Sequence, residues 1–318
     1  MRTSFCAVIP TAAAIGSCAI LNVAGQNETS QGAVAATQPK LQALVDRAVQ
    51  TTLAWFAEQK LEGNQLAVTL VDLRDPDHPM QASYHGEAQI YPASVVKLFY
   101  LVAAHQQMAD GKLEDTPELR RALHDMIVYS YNDATSYVLD LLTGTTSGPE
   151  LSSDELEQWE NKRNVVNRYF ASLGYTNINV NKKPWGEGPY GRETQAMKAF
   201  QPNRNLLTTD ATARLLTEIV TGKAVSAARC EQMMALLKRD FSQPGDSDVQ
   251  AHDFTSPALP PTARLWSKAG YTSRTRHDAA YVELANGARF VLVTFTEGHS
   301  DEHGIVPAVA RVIVEAMQ

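Results

Sequence analysis

The chain has 318 residues, 44% hydrophobic and 20% charged, proportions ordinary for a soluble globular enzyme of one large or two smaller domains. A net charge of −7 argues against nucleic acid or an anionic membrane as the main partner. Of three cysteines, Cys6 and Cys18 lie in the N-terminal segment, which leaves Cys230 alone, so packing rather than a disulfide framework must stabilise the fold.

Residues 1–25 carry Arg2 and then a mostly apolar run from Phe5 to Leu21, a secretory signal peptide by pattern and too short for a spanning helix. An alternative box, Ile15-Gly16-Ser17-Cys18, would leave a lipidated Cys18; the apolar residues after it favour cleavage near 23–25. Residues 26–38 are rich in Gln, Ser, Thr and Ala and read as a linker. Leu41, Leu44, Val45, Ala48, Leu53 and Phe56 recur at helical spacing, which predicts an amphipathic helix over 39–61. A strand over 66–73 stops at Asp75-Pro76-Asp77 and pairs with a second over 80–87.

Pro92 and Ser94 then open a helix that Gly111 closes, and between them apolar residues cover every face. Such a helix belongs in the interior. Ser94 and Lys97 interrupt it, three residues apart and therefore on one face. A buried amine is costly unless it is partnered or loses its proton, and an amine beside a hydroxyl at a helix start is one way to activate a nucleophile. Taken alone, the Ser-x-x-Lys spacing is common and favours Ser94 as a cap residue and Lys97 as a snorkelling side chain.

Downstream, 112–142 reads as two or three short helices broken near 129–133, 145–158 as a polar surface insertion, and 159–173 as a helix. Residues 176–206 lack periodicity and read as a large loop. Thr208 caps a helix through 221 and Ser226 starts another through 238; 243–261 is a Pro-rich loop. Strands follow at 264–271, 279–284 and 289–296, the last two joined by Asn286-Gly287, and a helix at 301–317 ends the chain. The expected architecture is α+β: a five-stranded antiparallel sheet with terminal helices on one face and a helical subdomain on the other. The sheet part is 39–90 with 262–318, the helical part 91–261, within one domain over 39–318.

Ser94-Val95-Val96-Lys97, Ser130-Tyr131-Asn132 and Lys268-Ala269-Gly270 resemble, in that order, the three motifs of penicillin-recognising serine enzymes. The spacing, and Arg276-His277-Asp278-Ala279-Ala280 after the third motif, are similar to class A β-lactamases. The resemblance implies a β-lactamase/transpeptidase-like fold and an exported, periplasmic or extracellular hydrolase. Such an enzyme acts as a monomer, without metal or cofactor, on a β-lactam or a D-Ala-D-Ala-like cell-wall amide. It implies Ser94 as nucleophile, Lys97 as its base directly or through water, and Ser130 as proton relay to the leaving nitrogen. Asn132, Lys268, Gly270, Tyr271 and Thr272 would bind substrate, with the backbone N–H groups of Ser94 and Tyr271 as oxyanion donors.

Two departures stand out. Ala269 replaces a hydroxyl residue that would hold a substrate carboxylate, with Thr272, Ser273, Arg274 or Arg276 as candidate substitutes. The Glu and Asn that hold the hydrolytic water are also missing as a motif: by spacing the Glu position falls on Glu193 and the Asn position on Met197, with Glu187 a second candidate. A solvated loop carboxylate fits both glutamates equally well. Finally, His299-Ser300-Asp301-Glu302-His303 fits the H-x-x-E-H pattern of zinc proteases but falls at the entry to the last helix, so no metal role is expected. The departures leave a DD-peptidase or esterase, or a binding module that is acylated without turnover, as alternatives to β-lactam hydrolysis.

Overall fold

The structure is a computed structural model that describes residues 24–185, 187–242 and 249–318. Residues 1–23, most of the expected signal peptide, lie outside the described residues. Gln38 to Gln318 form one compact unit, described here. The first helix, α1, is Ala24–Trp55, and turns follow it to residue 60. Strands β1 (Leu66–Asp72) and β2 (Met80–Tyr84) pair antiparallel, with Val68 opposite Tyr84.

A short 3₁₀ turn, Ala93–Val96, leads into α2 (Lys97–Ala109), and the helical part continues with α3 (Pro117–Ile127) and α4 (Asn132–Thr143). Thr116 caps α3, and Gly144 closes α4 at φ 61°, a left-handed conformation that suits glycine. Then come α5 (Ser153–Arg163), α6 (Val165–Ser172), α7 (Gly191–Ala199), α8 (Thr209–Val220) and α9 (Ala227–Leu237). The side chains of Thr208 and Ser226 cap α8 and α9 as expected. After α9 come β3 (Lys238–Arg239), α10 (Val249–His252), β4 (Arg264–Tyr271), β5 (Thr275–Glu283), β6 (Arg289–Glu297) and α11 (Ile305–Met317).

The sheet order is β2-β1-β6-β5-β4-β3, antiparallel throughout, so it has six strands where five were expected. The addition is β3, two residues that continue from α9 and pair with Leu265 and Trp266; so short a strand leaves no period-2 signal. Two other expectations give way. The polar insertion contains α5, started by the Ser152/Glu155 capping box, and the long loop contains α7.

Both sheet faces are buried, which is why β1 is mostly apolar and buried at every residue, Thr69 and Asp72 included. Val68, Leu70, Val282, Phe290 and Leu292 pack with Val45 and Val49 of α1 and Val309 and Ile313 of α11. Ala67, Val71, Ala279, Val291 and Val293 pack on the other face with α2 and the helical part. A slip of one residue in register would exchange the two sets, so both cores specify it. Lys97 to Ala104 of α2 are buried without interruption, and this holds the start of α2 between the sheet and the helices.

Candidate active site

Ser94 sits in the 3₁₀ turn just before α2, one turn ahead of Lys97. Two devices hold that turn against the sheet. At Gly270, near the end of β4, an added Cβ would stand 2.6 Å from Pro92 O and 2.9 Å from the backbone nitrogens of Ser94 and Val95. Only glycine permits this approach. The second device is His277 on β5, fully buried. Its Nδ1 accepts from Thr296 N–H at 3.0 Å, so the proton rests on Nε2, which donates to Tyr91 O at 2.9 Å. Burial pulls this imidazole down to about 4, which keeps it neutral and the tautomer fixed.

The Lys97 amine is fully buried. It donates to Ser130 O at 2.6 Å, Asn132 Oδ1 at 2.9 Å and Ser130 Oγ at 3.2 Å. Burial lowers it from 10.5 to about 7. At neutral pH a large fraction therefore carries a lone pair. Ser130 and Asn132 reach it from the α3–α4 junction, where Ser130 is held at φ 59°. Ala93, next to Ser94, has φ 45°. Left-handed backbone at a non-glycine residue costs about 1–3 kcal/mol and persists only where surrounding structure imposes it. Here it flanks both hydroxyls.

Lys268 comes from β4, also fully buried. Its Nζ donates to Ser130 Oγ at 2.9 Å, to Ala269 O at 2.8 Å and to Gln250 Oε1. Ser130 Oγ thus lies between two amines, and the structure brings Lys97, Ser130, Asn132 and Lys268 into one hydrogen-bonded group beside the turn that carries Ser94. Gln250 on α10 escaped sequence reading: it sits in the expected loop, yet ties Lys268 to the carbonyls of Ile127 and Val128.

The remaining candidates stand elsewhere or do other work. Tyr271 is half-exposed at the end of β4. The Thr272 hydroxyl lies 3.0 Å from Thr275 Oγ1 and accepts from the Arg274 N–H at 3.1 Å, holding the β4–β5 turn. The methyl of Ala269 packs with Phe254 and Val306, so the missing hydroxyl is absorbed by an apolar cluster. Arg276 lies over the Phe254 ring and donates to Asp253 Oδ2 at 3.1 Å.

Glu193 is buried in the first turn of α7. Its Oε1 accepts from Ser147 Oγ and from Arg163 Nη2, each at 2.8 Å, and Lys183 Nζ stands 3.9 Å away. Asp140 joins the cluster through Lys183 at 2.7 Å. Glu193 is thus held as the partner of a buried guanidinium, with no hydrogen bond to Lys97 or Ser130 among the described residues. Glu187 is exposed, and Met197 is half-buried on α7. The zinc-like segment is a turn rather than a helix, with the ring of His299 on Gln65 at 2.9 Å and that of His303 on Asp253 at 3.5 Å. Among the described residues no group of three or more His, Cys, Asp or Glu side chains converges on a metal position.

Solved structures share this fold. A β-lactamase from Chitinophaga pinensis is similar with a TM-score of 0.64 at 18% identity, covering 86% of this chain and 100% of that one. A β-lactamase from Sphaerobacter thermophilus gives 0.61 at 18%, covering 86% and 97%, and PBP-A gives 0.60 at 18%, covering 87% and 96%. Identity this low shows the fold alone. No curated protein sequence matches. The model of the β-lactamase enzyme family matches residues 46–317. By that match, over nearly all of the compact unit, the chain belongs to the β-lactamase enzyme family.

Proposed function

We propose that the chain is an exported, monomeric serine hydrolase that forms an acyl-enzyme at Ser94 with β-lactams or D-Ala-D-Ala-like amides, and that it hydrolyses β-lactams. The observation that carries this reading is the buried Lys97 amine at about 7, in contact with a hydroxyl that a second lysine also touches. In the reaction, neutral Lys97 takes the Ser94 proton as Oγ attacks the carbonyl. The N–H groups of Ser94 and Tyr271 receive the developing oxyanion. Ser130 gives its proton to the departing nitrogen as the C–N bond breaks and regains one from Lys97; Lys268 favours that donation by its charge. Water then cleaves the ester and restores Ser94. Export is motivated by the apolar run between Phe5 and Leu21. No helix among the described residues is long and apolar enough to cross a membrane.

A second reading is favoured by one observation: Glu193 is committed to Arg163, and Met197 offers no amide to hold water beside it. On that reading the acyl-enzyme persists and the protein works as a penicillin-binding sensor or a slow peptidase. A time course with a fluorescent penicillin separates the two. Labelling that rises and then decays within minutes supports hydrolysis; a label stable for hours supports the second reading. No labelling of the wild type overturns both.

A further inference from the structure

A cleft of about 630 Å³ has Tyr91, Met197, Arg204, Thr272, Arg274 and Glu297 among its walls. These residues come from the segments that converge on the site. Tyr91 precedes Ser94 by three residues, Thr272 follows the oxyanion candidate Tyr271, and Met197 lies on α7. The cleft holds two cations against the single carboxylate of Glu297. The guanidinium of Arg204 stands 5.6 Å from the centre of the Tyr91 ring. Arg274 sits in the β4–β5 turn, its backbone fixed by the Thr272 hydroxyl and by the Gly298 N–H, which donates to Arg274 O at 2.7 Å. Both arginines are exposed, and among the described residues neither guanidinium is engaged by a carboxylate. Arg163 and Arg276, by contrast, are both tied to carboxylates.

We infer that this cleft is a subsite for a carboxylate on the acyl side chain of the substrate, held between Arg204 and Arg274. The inference rests on the reading of Ser94 as nucleophile. With the carbonyl carbon at Ser94 Oγ and the departing nitrogen facing Ser130 and Lys268, the acyl substituent extends the other way, past Tyr271 toward Thr272 and Tyr91. Guanidinium groups take carboxylates with two parallel hydrogen bonds, and the Tyr91 ring and Met197 offer apolar surface to the rest of the side chain. The substrate class is therefore an amide whose acyl side carries a negative charge, whether a β-lactam or an acidic peptide.

Benzylpenicillin and carbenicillin differ only by a carboxylate on the side-chain carbon and serve as the probe pair. The ratio of their acylation efficiencies on the mature protein at low salt is expected to favour carbenicillin. Arg204→Gln and Arg274→Gln should each cut that ratio by about 5-fold, and both together by about 20-fold, as should salt in part, since an exposed subsite is screened. A ratio unmoved by the double substitution overturns the subsite. The side-chain amides, 2-phenylmalonamate and phenylacetamide, differ by that one carboxylate and, titrated by NMR, test it without any reaction. Tighter phenylmalonamate binding that the double substitution abolishes supports the subsite, and equal binding of the two amides overturns it. If neither penicillin acylates the wild type, the assignment of Ser94 fails while this titration still decides the subsite.

Discussion

Asn132→Ala removes one acceptor from the Lys97 amine and should move the acid limb of acylation downward. Lys97 lies at about 7, against 10.5 in water, because its ammonium is buried; no carboxylate offsets that burial. The difference corresponds to about 5 kcal/mol of unfavourable desolvation. What support the ammonium has comes from the Ser130 oxygens and from Asn132 Oδ1 at 2.9 Å. A hydrogen bond from a charged donor contributes about 1.5–3 kcal/mol, so its loss lowers the amine by about 1–2 further pH units. The second-order acylation rate of the wild type, followed by stopped flow from pH 4.5 to 9, should rise with pH through about 7 as Lys97 loses its proton. In the variant the plateau falls, because Asn132 would also hold substrate, but the limb shifts to about pH 5–6. The sign carries over to stability. The folded chain binds fewer protons than the unfolded one between about 7 and 10.5, so Lys97 makes wild-type stability rise with pH across that window. The variant extends the window downward and should lose more stability at pH 6 than at pH 9. A limb that stays at 7 or moves upward refutes the assignment of Lys97 as the base.

Three further outcomes follow from contacts around the site. Gly270→Ala places a methyl against backbone atoms at 2.6–2.9 Å, so the Ser94 turn must shift. Acylation should fall roughly 100-fold, while thermal melting records a loss of about 1–3 kcal/mol. Arg163→Met leaves Glu193 buried beside an apolar side chain, and denaturant unfolding should show about 3–5 kcal/mol of destabilisation; a neutral result would mean that Lys183 and Ser147 suffice for that carboxylate. His277→Phe removes two hydrogen bonds and the only titration at that position. The stability difference between wild type and variant should therefore shrink by about 3 kcal/mol from pH 6.5 to pH 4, since the buried imidazole falls from 6.5 to about 4 and the folded wild type resists protonation there. A pH-independent difference would show that His277 titrates normally.

The candidate constellation was legible because each of its motifs is local. Ser94 and Lys97 share a helical turn, Ser130 and Asn132 bracket one residue, and Lys268, Ala269 and Gly270 are consecutive on one strand. The central helix and the hairpins declared themselves by periodicity and by Asn286-Gly287. What stayed hidden depends on contacts between distant segments. Glu193 looked like a loop carboxylate because its partners Arg163, Ser147 and Lys183 come from three other stretches. Gln250 meets Lys268 across 18 residues of chain and leaves no pattern. The start of β5 at Thr275–Asp278 carries no apolar signal for a related reason: Arg276, His277 and Asp278 are polar yet buried, each bonded to a group that sequence does not place beside it.

The central claim is that Ser94 is the residue that becomes acylated, primed by the amine one turn away. Opening a β-lactam ring expels no leaving group, so the adduct adds the full mass of the antibiotic to one side chain. Peptide mapping by mass spectrometry after brief exposure to benzylpenicillin should find that mass on the peptide that contains Ser94, with no adduct in Ser94→Ala and a much slower one in Lys97→Ala. An adduct on another residue, or one that survives Ser94→Ala, contradicts the account.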